Sequence, residues 1–301
     1  MTETRFPRLH PAQVCFVVED VDAAVKECVA SFGWGPFHQF TAPVEEAHYG
    51  DWSGAKRTDV ALGMAGGVQV ELIHVHEGHD TVESYQALYG SGLQHLGISC
   101  RDRDEALNAL EGIGAHVDDR GEHPGIRFAF VDTPTGPGMF ELLQATGETP
   151  PPGAENGSDG AGRSNTEALE PSVTLDRATI VTGDLDRALA FYARAFRWAD
   201  PKLESCMLRV GSEESRVRRV RGQAGQLLLE LIEPKPGGSD PYARHLERGN
   251  HGLVHAGGLS ADGKLRGSAT AEGEWLDDGE AFGLYAWSGG AESLQLRRAE
   301  S

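Results

Sequence analysis

The sequence has no apolar run long enough to cross a membrane, and only four of its 301 residues are cysteines. A membrane-spanning helix needs about 18 or more consecutive apolar residues, and the segment MTETRFPRLHPAQ has no apolar core of the kind found in signal peptides. The cysteines form no CxxC pattern, which argues against a disulfide framework and against a structural zinc site. We therefore expect a reduced, cytoplasmic protein without a membrane partner.

Basic residues are also scarce. The chain has 27 lysines and arginines against 46 aspartates and glutamates, which gives a formal net charge of −19. Nucleic-acid binding requires a basic surface that neutralises phosphates. The composition therefore argues against a nucleic-acid partner. The partners that we expect are a small-molecule substrate and a second copy of the chain in a homodimer.

Residues 145–171 contain no aromatic residue, a run of three prolines and many glycines and serines. This composition is typical of a flexible linker. It predicts two domains of similar size, at residues 1–144 and 172–301.

A repeated pattern of apolar strand, aspartate and amphipathic helix runs through both halves. Its copies begin at Gln13, His95, Arg177 and His255, which are 82, 82 and 78 residues apart. An aspartate seven residues into each copy is a suitable helix N-cap, although the glycine-rich fourth copy makes its helix doubtful. Short alternating strands follow each helix, so each copy predicts a βαβββ module. The fold class predicted is α+β, with four modules in mixed sheets.

Four polar residues of the first half occupy equivalent places in this repeat, namely Gln13, Glu71, His95 and Glu141. Each lies in an apolar strand context, such as VELI or QHLG. A single such residue usually faces solvent, but four at equivalent positions are better explained together. Buried carboxylates are costly without a cation or a donor, and oxygen and nitrogen ligands of this kind suit a divalent metal.

The ordered set of these four residues, with the segments GLQHLGISCRD and FGWGPF, resembles the vicinal oxygen chelate superfamily. That superfamily includes glyoxalase I, methylmalonyl-CoA epimerase, extradiol dioxygenases and bleomycin-resistance proteins. The resemblance covers both halves and implies two paired domains with curved mixed sheets. It also implies that Gln13, Glu71, His95 and Glu141 hold one metal ion, which would be Zn, Ni, Co, Mn or Fe.

The second half departs from the superfamily pattern. Arg177 stands at the first ligand position, and a guanidinium group does not bind metals. Glu230, His255 and Gln295 occupy the other three positions. We therefore expect a degenerate site there, with a structural or substrate-covering role. The resemblance to extradiol dioxygenases, which use two histidines and one glutamate on iron, does not extend to these ligands in either half.

The resemblance implies a metal-dependent isomerase, epimerase or lyase that acts on a chelating carbonyl substrate through an enolate-type intermediate. Glu141 and Glu71 would be the catalytic residues, one removing a proton and the other returning it. Two alternatives stay open. One is a natural-product tailoring enzyme that cyclises or rearranges a polyketide-like substrate, and the other is a metal-free drug-binding resistance protein.

Further side chains are candidates for the substrate pocket. We expect Trp34, Phe37 and His74 to contact the substrate. The segment HVHEGH, which contains His74, is either a second metal site or a solvent-exposed strand end. The run RVRRVR at 216–221 either binds an anionic substrate group or protects an edge strand by its charge. Cys15 and Cys100 lie within strand patterns and are interpreted as small core residues.

Overall fold

The computed structural model describes residues 6–298 except 124, 148–155, 158–159, 162, 165–170, 211–212, 239, 248–251, 261–269, 278–279 and 288–289; from residue 259 onward it describes the backbone alone. The helices are Val21–Phe32 (α1), Thr81–Tyr89 (α2), Arg103–Glu111 (α3), Leu185–Ala195 (α4) and Pro241–Glu247 (α5). None of these helices is long and apolar enough to span a membrane.

The strands of the first half and of the linker are His10–Val17 (β1), His38–Tyr49 (β2), Trp52–Ala65 (β3), Val68–Glu77 (β4), Gly92–Ser99 (β5), His116–His123 (β6), Ile126–Thr133 (β7), Gly136–Ala145 (β8), Asn156–Gly157 (β9), Gly160–Ala161 (β10) and Arg163–Ser164 (β11). Those of the second half are Val173–Val181 (β12), Leu203–Val210 (β13), Glu213–Ala224 (β14), Leu227–Pro234 (β15), Gly252–Ser260 (β16), Thr270–Asp277 (β17), Glu280–Trp287 (β18) and Gly290–Arg298 (β19).

The first half forms one mixed sheet from two βαβββ modules. The strand order is β11-β2-β3-β4-β1-β5-β8-β7-β6, with β1 parallel to β4, β5 parallel to β8, and β1 antiparallel to β5. Tyr49 of β2 also pairs with Asp119 of β6. This pairing brings the far strands of the two modules together, so the sheet curls into a cup around the β1–β5 pair.

The second half repeats this arrangement as a closed barrel in the order β12-β15-β14-β13-β17-β18-β19-β16. β12 is parallel to β15 and antiparallel to β16, and β16 is parallel to β19. The predicted α+β class, with paired modules in mixed curved sheets, is confirmed. The doubtful helix of the fourth copy falls at 261–267, which lies outside the described residues.

Aspartate caps begin three module helices at the residues that the repeat predicted. Asp20, Asp102 and Asp184 each accept a hydrogen bond from the backbone N–H three residues later, at 2.9 to 3.0 Å. Each cap satisfies one of the N–H groups that a helix start leaves without a partner. Each module helix is thereby fixed at the end of its first strand.

Two further helices, α2 and α5, follow the last strand of modules one and three, and the repeat did not predict them. Asp80 caps α2 by accepting the Glu83 N–H at 2.6 Å. Asp80 is also ion-paired with Lys56 of β3, and both side chains are buried. Val82 of α2 packs into the apolar cluster on the inner face of the cup. The helix therefore covers part of that face.

A continuous core lies between the two halves. Phe140 of β8 contacts the rings of Phe191, Tyr192 and Phe196 at centroid distances of 5.7 to 6.1 Å. Trp34 donates its indole N–H to the Val173 carbonyl at 2.9 Å. The predicted linker lies largely outside the described residues, but Arg163 and Ser164 pair with β2. The predicted domain boundaries stay a prediction.

Candidate metal site

Strand register places the four predicted ligands on one face of the sheet. Gln13 pairs with Gly97, and Gly97 pairs with Glu141. On the next rung Cys15 pairs with both Glu71 and His95. Directly paired residues point to the same face, and so do residues two apart on one strand. All these residues therefore face the inside of the cup.

His95 lies at the centre of this group. Its Nε2 atom is 3.3 Å from Oε2 of Glu71 and 3.3 Å from Oε2 of Glu141. The His95 side chain is fully buried, and those of Glu71 and Glu141 are 11% and 13% exposed. One imidazole nitrogen and two carboxylate oxygens thus converge on one small volume that is nearly closed to water.

Several buried polar atoms in this group have no hydrogen-bond partner among the described residues. They are Gln13 Oε1, Glu71 Oε2 and His95 Nε2, which lies close to both carboxylates but is not aligned for a hydrogen bond with either. Leaving one buried acceptor without a partner costs about 1–3 kcal/mol. Lone pairs on oxygen and nitrogen at this spacing are what a divalent cation requires. The residues therefore fit a metal ion.

The neighbours of His95 hold its ring in an orientation that suits metal binding. Its Nδ1 atom lies within hydrogen-bonding distance of the Gln94 side-chain oxygen, so Nδ1 carries a proton. The Nε2 atom faces the two glutamates and would bind an ion after losing its own proton. Gln94 is itself held by a 3.2 Å hydrogen bond to the Gly138 carbonyl. The Phe130 ring packs nearly perpendicular to the imidazole, with the two ring centroids 5.1 Å apart. Such outer contacts fix the tautomer of metal-binding histidines.

Burial and neighbouring charges shift the pKa values of His95 and Glu141. Burial alone would lower the pKa of His95, but the adjacent Glu141 and Glu71 carboxylates raise it to about 9. Burial also raises the pKa of Glu141, although His95 opposes that effect. A carboxyl group with a raised pKa is a stronger base, and such groups are frequent in active sites.

The side-chain amide of Gln13 is oriented by a neighbour. Its Nε2 donates to Gln69 Oε1 at 2.9 Å, which leaves the amide oxygen available as a ligand. That oxygen lies over Gly97, where an added Cβ would approach it to 2.0 Å. Gly97 therefore provides the space that the Gln13 side chain occupies.

Cys15 belongs to the same inner face, and the sequence interpretation missed it. Its Sγ atom and one ligand atom each of Glu71 and His95 all lie within 4.8 Å of one another. Burial, and then the charges of Glu71 and Glu141, raise the pKa of this thiol well above its usual value. Its position two residues after Gln13 on one strand was a signal in the sequence that would have placed Cys15 on the same face. Cys100, by contrast, directs its sulfur to the Leu143 carbonyl.

The predicted substrate residues lie elsewhere. Trp34 and Phe37 are buried in the core cluster on the other face of the sheet, together with Val14 and Val70. His74 is half-buried and contacts the Val18 carbonyl at 3.0 Å, on the opposite face of β4 from Glu71. The structure thus does not bring these three side chains to the group around His95.

The HVHEGH segment forms no metal-like cluster within the described residues. Its second histidine, His76, contacts the Asp59 carboxylate at 2.5 Å and is 36% exposed. The third, His79, lies 3.2 Å from Glu83 and is 58% exposed. Among the described residues, only Cys15, Glu71 and His95 form a metal-like group of at least three histidine, cysteine or acidic side chains.

In the second half, arginines neutralise Glu230, which occupies the position equivalent to that of Glu71. Oε1 of Glu230 accepts from Arg221 Nε at 2.7 Å and lies 3.7 Å from Arg219, while Oε2 accepts from Thr179 at 3.2 Å. Glu230 and Arg219 are almost completely buried. β14, which carries the RVRRVR run, lies between β13 and β15, so the explanation by edge protection was wrong. Among the described residues of the first half, no arginine is paired with Glu71 or Glu141.

Comparison with known proteins agrees with this fold. Residues 12–130 match the model of the Glyoxalase/Bleomycin resistance protein/Dioxygenase superfamily. A mutant of 4-hydroxymandelate synthase from Streptomyces coelicolor is similar in structure, with a TM-score of 0.60, 18% identity and coverage of 97% of this chain and 93% of that one. No curated protein matches the chain.

A second similar structure is a fusion of a xylose isomerase-like TIM barrel with 4-hydroxyphenylpyruvate dioxygenase. It has a TM-score of 0.52 and 14% identity, and the alignment covers 98% of this chain but only 49% of the fusion protein. At these identities the two similarities establish the fold.

Proposed function

We propose, from the premise that residues 12–130 belong to the glyoxalase/bleomycin resistance protein/dioxygenase superfamily, that the first half is a metal-dependent enzyme. It would bind one divalent ion and act on a small molecule that carries a carbonyl beside a second oxygen. The reaction class would be isomerisation, epimerisation or lyase chemistry that begins with removal of a proton next to the carbonyl.

One contrast carries the proposal. The single buried Glu230 of the second half is paired with arginines, whereas Glu71 and Glu141 of the first half share one imidazole, His95, at 3.3 Å. One negative charge of this group therefore stays in excess even when His95 is protonated. A buried carboxylate without compensation costs several kcal/mol. This excess negative charge on the inner face, with Gln13 Oε1 and His95 Nε2 also lacking hydrogen bonds among the described residues, supports a cation in the first half.

The candidate ligands are Gln13, Glu71, His95 and Glu141. When bound, the ion would polarise the substrate carbonyl as a Lewis acid and stabilise the negative charge that proton removal leaves behind. The set contains one histidine and two glutamates, which differs from the two-histidine, one-carboxylate set of many non-haem iron oxygenases. This difference favours proton-transfer chemistry over oxygen activation.

The side chains of Glu141 and Glu71 would transfer the protons. Glu141 has a raised pKa because of its burial and would take the proton at Oε2, the oxygen nearest His95. Glu71 lies on β4, with its Oε2 atom also 3.3 Å from His95 Nε2. It would return a proton to the substrate carbon from the side opposite Glu141 during epimerisation. The apolar inner face, with Phe128 and Phe130, would exclude water from the reacting carbon.

The proposal is tested by metal binding and proton exchange in the full chain. The wild-type protein should bind one divalent ion per chain and catalyse metal-dependent exchange of α-protons with deuterated water in α-hydroxy or α-keto carbonyl compounds. The variant His95→Ala should lose the ion, while His76→Ala, an exposed histidine on β4, should retain it. A wild-type protein that binds no ion yet retains small hydrophobic molecules would contradict the proposal and support sequestration instead.

A further inference from the structure

We propose that Cys15 is a metal ligand of the first-half site, so that the site selects a thiophilic divalent ion such as Zn²⁺, Co²⁺ or Fe²⁺ over Mg²⁺ and Mn²⁺. This inference rests on the metal site proposed above, and in that site the Cys15 sulfur takes the place of Glu141 among the ligands. Thiolate sulfur binds borderline and soft ions strongly, whereas Mg²⁺ and Mn²⁺ prefer oxygen.

Geometry is the first argument. Cys15 pairs in register with Glu71 on one side and with His95 on the other, so its side chain lies between the two. The sulfur and the two ligand atoms all lie within 4.8 Å of one another. Two ligand atoms on one tetrahedral zinc ion are about 3.5 Å apart. Side-chain shifts of roughly 1 Å would therefore bring all three atoms onto a single ion.

The unsatisfied atoms of the neighbours are the second argument, and they are independent of the cysteine. Glu71 Oε2 and His95 Nε2 have no hydrogen-bond partner among the described residues. His95 is fully buried and Glu71 is 8% exposed. Both groups are held by β-strands on either side of Cys15. The two unsatisfied atoms therefore indicate the position of a bound ion beside the Cys15 sulfur.

The division of roles in the site is the third argument. Glu141 lies 3.3 Å from His95 but is not part of the group of three formed by Cys15, Glu71 and His95. With Cys15, Glu71, His95 and Gln13 as ligands, Glu141 has no need to bind the ion. Its carboxylate then keeps a lone pair for the substrate proton, which the base role requires.

When Cys15 binds the ion, the metal replaces the proton on sulfur. The S–H bond of Cys15 would break and a sulfur–metal bond would form, while the thiol proton and the Nε2 proton of His95 would pass to bulk water. No oxidant or reductant takes part.

The experiment uses Co²⁺ with the full-length protein. A thiolate ligand gives a sulfur-to-cobalt charge-transfer band in the near ultraviolet, in addition to the weaker visible bands that any Co²⁺ site shows. We expect this band in the wild type and in Cys100→Ser, a control whose sulfur faces a backbone carbonyl. We expect it to be absent in Cys15→Ser, in which the visible cobalt bands remain.

Affinity measurements separate ligation from a positioning role. A serine at position 15 can still donate a hydrogen bond to Glu71, so a positioning role would survive in Cys15→Ser. As a ligand, Cys15 should strengthen Zn²⁺ binding at least about tenfold, the lower end of the effect of removing even an outer-shell partner. Its replacement should leave Mn²⁺ binding nearly unchanged.

The outcomes distinguish this inference from the proposed function. Co²⁺ binding by the wild type without a charge-transfer band would overturn the role of Cys15 and leave the oxygen and nitrogen site intact. Equal Zn²⁺ affinity in the wild type and Cys15→Ser would overturn it as well. Absence of any metal binding by the wild type would overturn both proposals.

Discussion

The side chains around His95 lie on β-strands and are oriented by neighbouring side chains rather than by a flexible loop. Gln69 orients the Gln13 amide at 2.9 Å, and Gln94 fixes the proton on the far side of the His95 ring. Groups held in this way lose little entropy when a ligand arrives, and that pre-organisation is what catalytic sites require.

The variant Glu141→Gln should abolish proton exchange while retaining the fold. A carboxamide has the shape of a carboxylate but cannot accept a proton near neutral pH, and a general base contributes about 10²–10⁴-fold to a rate. The measurement is α-proton exchange in deuterated water, with metal content determined on the same sample. Wild-type exchange in a metal-loaded Glu141→Gln protein would show that another group, with Glu71 the first candidate, is the base.

The sequence repeat predicted the positions of four polar residues of the site, but it did not identify every residue that lies in the site. Gln13, Glu71, His95 and Glu141 could be identified because they occupy equivalent positions in the two modules. The first and last strands of both modules lie side by side in the sheet, so these residues meet at its centre. Cys15 was missed because a cysteine in an apolar strand is usually a core residue. Trp34 was assigned to the substrate because the face on which an aromatic residue lies depends on packing with the second half, which the local sequence does not encode.

At the scale of elements, β2 and β6 close the first sheet through one pair, Tyr49 and Asp119. Asp119 is 8% exposed. Burial raises its pKa to about 6, with Asp80 adding to the rise and Lys56 opposing it. The unfolded chain would have an aspartate pKa near 3.9. The folded state therefore binds more protons between about pH 4 and pH 6, and the ionised carboxylate lowers stability above that range.

The variant Asp119→Asn should therefore be more stable than the wild type at pH 8, by about 1–2 kcal/mol after allowance for partial hydration of the carboxyl group. The difference should disappear near pH 4, where the wild-type carboxyl group is protonated. Urea unfolding at both pH values is the measurement, with the exposed Asp51→Asn as the control. An equal difference at both pH values would contradict the pKa assignment.

At the scale of the whole molecule, the two halves share one core. Phe140 of the first half packs against the aromatic residues of α4, and the Tyr192 and Thr135 hydroxyls are 2.8 Å apart across the junction. The sequence predicted two domains because composition changes sharply at 145–171. It gave no sign of this shared core, because contacts between distant segments leave no local pattern. Metal assays consequently need the full chain, since a separated half would expose apolar surface.

Limited proteolysis should cut within the predicted linker, because its composition buries little apolar area. The two fragments should nevertheless remain associated under native conditions and separate only in denaturant, since the shared core holds them together. Size-exclusion chromatography of the nicked protein, followed by denaturing electrophoresis, checks this expectation. Fragments that elute separately without denaturant would show that the contacts of Phe140 and Tyr192 are too weak to join the halves.

Cys15 and Gly97 occupy equivalent places in the two modules of the first half, and their difference gives the site a handedness. A thiol lies beside Glu71, whereas a glycine pairs with Glu141. A planar carbon held between the two carboxylates would thus present its two prochiral faces to unlike surroundings, one beside the Cys15 sulfur and one beside the Gln13 side chain that fills the space over Gly97. Duplication of a module would initially give two equal sides, and the differences at Cys15 and Gly97 and at Gln13 and His95 would let the descendant distinguish one enantiomer from its mirror image.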